Sequence, residues 1–174
     1  MKKTKILTGL LTLSMISSTT MTALNAQDNR SSFNNTMHEI ANYNTNAGAD
    51  GDGGVAEIVK YNKYNQTMYL VSGKTQSVHI VNLNNVNSNS NTTLEATKTV
   101  TLESIGINDA GDITSVDVSP DGKEIAIAIQ HKDYDKNGYI ARFDANGQLI
   151  NIHEAGIQPD MITYSPDGSL ILTA

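Results

Sequence analysis

The sequence predicts an all-β protein, a β-propeller of four-stranded antiparallel blades, and three observations carry that prediction. The tetrapeptide Ser-Pro-Asp-Gly occurs at Ser119 and again at Ser165, forty-six residues further on. The register extends beyond it, because Val116, Val118 and Ile125 fall on Ile162, Tyr164 and Ile171 at the same offset. From Val55 onward, short runs of β-branched and aromatic residues alternate with turn-forming clusters. A period in the forties with hairpins inside it is what a propeller blade produces, since each blade is one sheet that covers its faces with its neighbours.

Composition narrows the rest. The 174 residues contain no cysteine, which excludes disulfides, a thiol nucleophile and a Cys-based zinc site. A formal net charge of -6 argues against nucleic acid or an anionic membrane surface as the main partner. At the N-terminus, Lys2, Lys3 and Lys5 precede an apolar stretch over 6–16 and a small polar tail over 17–26. That pattern predicts a bacterial-type Sec signal peptide over residues 1–26, cleaved after Ala26 or after Ala23, and a secreted or cell-surface protein. The apolar stretch is too short to span a bilayer, so no transmembrane segment is expected. Cleavage after Ala26 removes three lysines and no acid, which takes the charge from -6 to -9.

Residues 27–54, rich in Asn, Ser, Thr, Gly and Asp, predict an extended polar leader with Phe33, Met37, Ile40 and Tyr43 as its anchors. A partial propeller follows over 55–174. Its first blade, about 55–105, takes strands at 55–61, 66–72, 77–83 and 97–102, with the Asn/Ser/Thr run at 84–93 as a solvated loop. The second blade, 113–158, takes strands at 113–118, 124–130, 139–144 and 148–153. Large and small apolar residues alternate through Ile125-Ala126-Ile127-Ala128-Ile129 with no polar face, which predicts a strand buried on both sides. A third blade, 159–174, begins at Asp160 and holds two strands. In both tetrapeptides Pro presets φ at the first central position, Asp tolerates the next, and Gly takes the left-handed position that closes the hairpin. Propellers close as rings of at least four blades and this chain holds roughly two and a half, so an N-terminal fragment of a longer propeller is expected, with exposed strand edges.

Asp133-Tyr134-Asp135-Lys136-Asn137-Gly138 with Asp144 has the spacing of a calcium loop: oxygen side chains at positions 1, 3 and 5, Gly at 6 and a carboxylate at 12. Asp133, Asp135, Asn137 and Asp144 are therefore candidate calcium ligands; the flanks read as strands, which the shorter D-x-D-x-N-G calcium loops of propeller hairpins also have, and the same residues also fit a solvated acidic hairpin. Asp50-Gly51-Asp52-Gly53-Gly54 reads as a flexible loop. His38, His79, His131 and His153 lack metal-ligand spacing and read as solvated or strand-surface residues. No G-x-S-x-G elbow, Walker loop or dinucleotide glycine loop occurs. Asn34, Asn65 and Asn91 match the N-glycosylation sequon, as an Asn-rich chain does by chance.

The run from Val55 to Tyr61, the Val-His-Ile-Val-Asn-Leu strand from Val78, the acidic Gly hairpin and the Gln158-Pro159-Asp160-Met161 segment before the second Ser-Pro-Asp-Gly occur in a set order. In that order they resemble the choice-of-anchor I family of secreted bacterial proteins, itself similar to the mesenchyme-specific cell-surface glycoprotein of sea urchin embryos. The resemblance implies a seven-bladed extracellular propeller without a defined reaction, some members of which carry phosphatase or esterase labels. It also implies that Glu57 and Asp160 occupy matching blade positions near the strand starts that line a central channel, as a candidate polar site. The expected function is a non-catalytic binding or scaffold module for an extracellular ligand or cell-wall component. The alternative is a metal-dependent hydrolase whose site is completed by C-terminal blades missing here.

Overall fold

The computed structural model describes residues 37–48, 55–89 and 91–174. The stretch expected to be a signal peptide, Phe33, Asn34 and the Asp50-to-Gly54 cluster lie outside the described residues. The chain divides into two units. In the first, β1 (Ala41–Tyr43) pairs in parallel with β5 (Thr92–Leu94). Here the sequence reading is corrected: Thr92 and Thr93, assigned to a solvated loop, form part of a strand, and the leader supplies its partner. A three-residue pairing needs little apolar sequence, because its hydrogen bonds are all backbone, so composition did not signal it.

The second unit holds three antiparallel sheets. The first blade is β2 (Val59–Asn62), β3 (Thr67–Ser72), β4 (Ser77–Asn82) and β6 (Ala96–Thr101), hydrogen-bonded in that order. The second is β7 (Ala110–Val118), β8 (Glu124–His131), β9 (Asn137–Asp144) and β10 (Leu149–Ile157). The third is the hairpin β11 (Ile162–Tyr164) and β12 (Ile171–Thr173). A short 3-10 turn at Glu103–Ile105 ends on Gly106, whose φ of 85° is left-handed. It folds the chain from the first blade toward the second, and nothing in the sequence reading had marked it.

The core lies between blades, and β8 shows why its sequence alternates. Ile125, Ile127 and Ile129 join Tyr69, Val71, Val78 and Phe143 in one cluster that fills the space between the first two blades. Ala126 and Ala128 face the other way, against Ile162 of the third blade. The strand is buried on both faces, with isoleucine toward the wider gap and alanine where the next sheet approaches closely. Fully burying one such isoleucine contributes about 1.5–3 kcal/mol.

The two Ser-Pro-Asp-Gly turns have the same hydrogen bonds. In the first, the Gly122 N–H donates to Ser119 O at 2.8 Å with Gly122 at φ 71°. In the second, the Gly168 N–H donates to Ser165 O at 2.9 Å with Gly168 at φ 73°. Asp121 does more than tolerate its position. Its Oδ1 accepts from the Ser119 hydroxyl at 2.8 Å and the Lys123 N–H at 3.1 Å, while Ser119 Oγ accepts from the Glu124 N–H at 3.0 Å. Asp167 repeats this with the Ser165 hydroxyl and the Ser169 N–H.

Candidate functional site

The first strands of the three blades, β2, β7 and β11, lie side by side, and their starting ends form one edge. Each start is pinned to the second strand of its own blade. The Glu57 N–H donates to Val71 O at 3.2 Å, and the Asp160 N–H donates to Ala174 O at 2.7 Å. Counting back five residues from the turn-opening residues Asn62, Ser119 and Ser165 gives Glu57, Thr114 and Asp160, one per blade. Thr114 donates its hydroxyl proton to Pro159 O at 2.8 Å, which ties the second blade to the residue before Asp160.

Glu57 and Asp160 are thus brought to the same edge, and a third carboxylate that the sequence reading missed joins them. Asp112, near the start of β7, sits over the β3–β4 turn of the first blade. A Cβ at Gly73 would lie 1.8 Å from Asp112 Oδ1, so only glycine admits the carboxylate there. Gln76, from the same turn, donates through Nε2 to Ala110 O at 3.1 Å and holds the entry to β7 in place. Asp112 Oδ1 accepts from the Ile113 N–H at 2.7 Å. Burial raises the Asp112 pKa, with that hydrogen bond opposing it. Glu57 is raised as well, first by partial burial and then by the negative charges of Asp112 and Asp160. The repeat register would have found Thr114. It could not find Asp112, which depends on a glycine turn in another blade.

Below this edge a second row of equivalent positions, Lys60, Asp117 and Thr163, ties the blades together. Asp117 takes Lys60 Nζ at 3.3 Å on Oδ1, and on Oδ2 it accepts the Thr163 hydroxyl at 3.1 Å and the Tyr164 N–H at 2.8 Å.

The four candidate calcium ligands are not brought together. Asp133, Asp135 and Asn137 lie in or beside the β8–β9 hairpin, where Asp133 pairs with Lys136 at 2.9 Å and is held below the usual carboxylate range mainly by that contact. Asn137 opens β9 and donates its amide to Glu154 across the sheet. Asp144 closes the same strand, so at ~3.3 Å per residue it stands ~23 Å from Asn137. Its Oδ1 accepts the N–H groups of Asn146 and Gln148 at 2.9 and 2.8 Å and forms the β9–β10 turn. The twelfth-position ligand of a calcium loop must fold back toward the first, and an extended strand carries it away. Among the described residues no group of three or more His, Asp or Glu side chains is placed to hold a metal ion.

Two histidines also depart from expectation. His79 and His131 are buried. Burial lowers the His79 pKa, and its ring hydrogen-bonds Ser77 at 3.0 Å. His131 lies 3.1 Å from Asp109 through Nε2 and accepts the Asp133 N–H on Nδ1 at 2.8 Å, so polar partners replace the solvent that a surface position would supply. Asn65, one of the sequon matches, is likewise committed, donating to the Tyr69 hydroxyl at 3.1 Å.

Four-stranded antiparallel blades that converge on their first strands define a protein of the β-propeller class. Residues 57–174 match the choice-of-anchor I domain, and the chain belongs to that family. No curated protein matches the chain. Among solved structures it is similar to two candidate 6-phosphogluconolactonases. The Bacteroides fragilis protein is 21% identical with a TM-score of 0.55, over 72% of this chain and 33% of that one. The Bacteroides uniformis protein is 23% identical with a TM-score of 0.55, over 73% and 34%. The β-propeller domain of Cps50 (Swd1) from Myceliophteria thermophila is 10% identical with a TM-score of 0.53, over 68% and 34%. These likenesses are of fold, and the chain spans about a third of the length of the structures it matches. Among the described residues no helix is long and apolar enough to cross a membrane.

Proposed function

We propose that the protein is a non-catalytic binding module of a secreted or cell-surface propeller, and that the strand-start edge bearing Glu57, Asp112 and Asp160 receives cationic groups of an extracellular or cell-wall polymer. The observation that carries this reading is the effect of Asp112 and Asp160 on Glu57: carboxylates of the second and third blades lie close enough to raise one of the first, so negative charge is concentrated at one edge. Family membership and the N-terminal pattern of Lys2, Lys3 and Lys5 before an apolar stretch support the extracellular location. Calcium at the β8–β9 hairpin forms no part of this reading, because Asp144 serves the opposite turn.

The raised Glu57 pKa favours a second reading, a hydrolase in which Glu57 acts as a general acid. One experiment separates the two. Spermidine is titrated calorimetrically into the full chain and into the Glu57→Gln, Asp160→Asn double variant, and p-nitrophenyl phosphate and p-nitrophenyl acetate are assayed in parallel. Binding that the double variant loses, without turnover in either protein, supports the binding module. Turnover abolished by Glu57→Gln establishes the hydrolase instead, and the absence of both signals sinks both readings.

A further inference from the structure

At the other end of β2 from Glu57 lies a cleft of about 670 Å³ between the first blade and the β9–β10 turn of the second. Its size falls within the range of ligand pockets, roughly 300–1,000 Å³. Both of its walls belong to four-stranded blades. The lining is uniform in its chemistry: beside Lys98, its polar side chains are amides and hydroxyls, among them Gln66, Asn82, Asn84, Thr97 and Asn146, and no carboxylate or arginine is present.

The hydrogen bonds within this lining leave a definite remainder. Asn82 Oδ1 accepts the Asn84 N–H at 2.8 Å, which leaves the Asn82 amide N–H groups to donate outward. Thr97 donates to Ile80 O at 2.9 Å, so its oxygen remains an acceptor. Lys98 Nζ spends two of its three N–H groups on Asn146 O and Gly147 O, at 3.2 and 2.8 Å. The exposed side chains of Gln66 and Asn84 each add both a donor and an acceptor. Ile80 and the ring of Tyr64 give the apolar part of the wall, and Tyr64 is fixed in place by its hydroxyl, which donates to Pro120 O at 3.1 Å.

We infer that this cleft binds a short stretch of uncharged glycan. Alternating donors and acceptors beside small apolar surfaces match a ligand whose hydroxyls both give and take hydrogen bonds and whose ring C–H faces are apolar. An anion would find only one lysine, already engaged with two carbonyls, and a metal cation would find no carboxylate. The inference rests on the binding-module reading but concerns a different end of the blades, so the carboxylate edge and the cleft fail or survive separately.

The test is saturation-transfer NMR on the full chain with maltotriose, cellotriose and tri-N-acetylchitotriose at millimolar concentration, alongside a trigalacturonate as the anionic counterpart. The expected result is transfer from at least one neutral trisaccharide, weakened about fivefold or more in the Asn84→Ala, Gln66→Gly double variant and retained in Glu57→Gln. Thr97→Val, which keeps shape and removes the acceptor, serves as the second variant if the double variant loses its native thermal transition. No transfer from any neutral sugar, transfer undiminished in a folded variant, or transfer from trigalacturonate alone overturns the assignment. Loss of spermidine binding with sugar binding intact leaves the cleft standing and removes only the edge.

Discussion

Carboxylates at the residue scale split into two groups of opposite sign. Asp121 and Asp167 are held at about 2, chiefly by the hydroxyls of Ser119 and Ser165 and then by the N–H and side-chain groups that follow each Gly. A depressed carboxylate stabilises the fold above its unfolded pKa, near 3.8, and that contribution is lost as pH falls toward 2. In the Asp121→Asn, Asp167→Asn double variant, the fall in melting temperature between pH 4 and pH 2 is therefore expected to be shallower than in the parent, as read by circular dichroism. Glu57 and Asp112 behave in reverse. Their raised values mean that the protonated forms favour folding, and that stability is lost as pH rises from the ordinary values of 4.5 and 3.8 through the folded values. Glu57→Gln is accordingly expected to raise the melting temperature at pH 7 and leave it unchanged at pH 3.5. A variant less stable than the parent at pH 7 would mean that Glu57 is satisfied rather than repelled.

At the scale of single elements, β8 was the most legible stretch of the chain and β5 the least. The Ile-Ala alternation stated its own burial, because only a strand covered on both faces can do without a polar side. The structure adds what each face is for. Ile127→Ala removes a fully buried side chain from the gap between the first two blades and is expected to cost about 2–5 kcal/mol in urea denaturation. Ala128→Leu adds volume where the third blade packs and is expected to cost about 1–3 kcal/mol. If Ala128→Leu proves neutral, the approach of the third blade is looser than the structure describes. Strand ends were read less well. β10 runs on to Ile157 and β7 begins at Ala110, because the small and mixed residues Glu154-Ala155-Gly156-Ile157 and Ala110-Gly111-Asp112 pair through their backbones and carry no alternating period. Of the residues singled out, the resemblance and the repeat register point to Glu57 and Asp160, whereas the calcium-loop spacing does not record that β9 extends between Asn137 and Asp144 and carries Asp144 to the opposite turn.

At the scale of the second unit, blades are joined by repeated ties as well as by their cores. Asn62 donates to Gly122 O at 2.7 Å, Tyr64 to Pro120 O at 3.1 Å and Tyr69 to Ala145 O at 2.8 Å, all from the first blade to the second. From the second to the third, Pro120 packs against Gly168, and Asp117 accepts both the Thr163 hydroxyl and the Tyr164 N–H. Asp117 also holds Lys60, so a single carboxylate links three consecutive sheets. The Lys60 pair, with its lysine half exposed, contributes little on its own, but the Tyr164 N–H would lose a charged acceptor in a part-buried position. Asp117→Ala is expected to destabilise the fold by about 1–3 kcal/mol. Its signature in hydrogen exchange is more specific than that figure: amides of β11 and β12 should exchange at least tenfold faster, while those of β3 and β4, closed by their own ladder, keep their rates. Uniform acceleration across all three blades would show that they open as one cooperative unit and that Asp117 is an ordinary stabilising contact. Acceleration confined to the third hairpin would show that this sheet opens separately from the first two and is held to them by the part-buried Asp117 carboxylate.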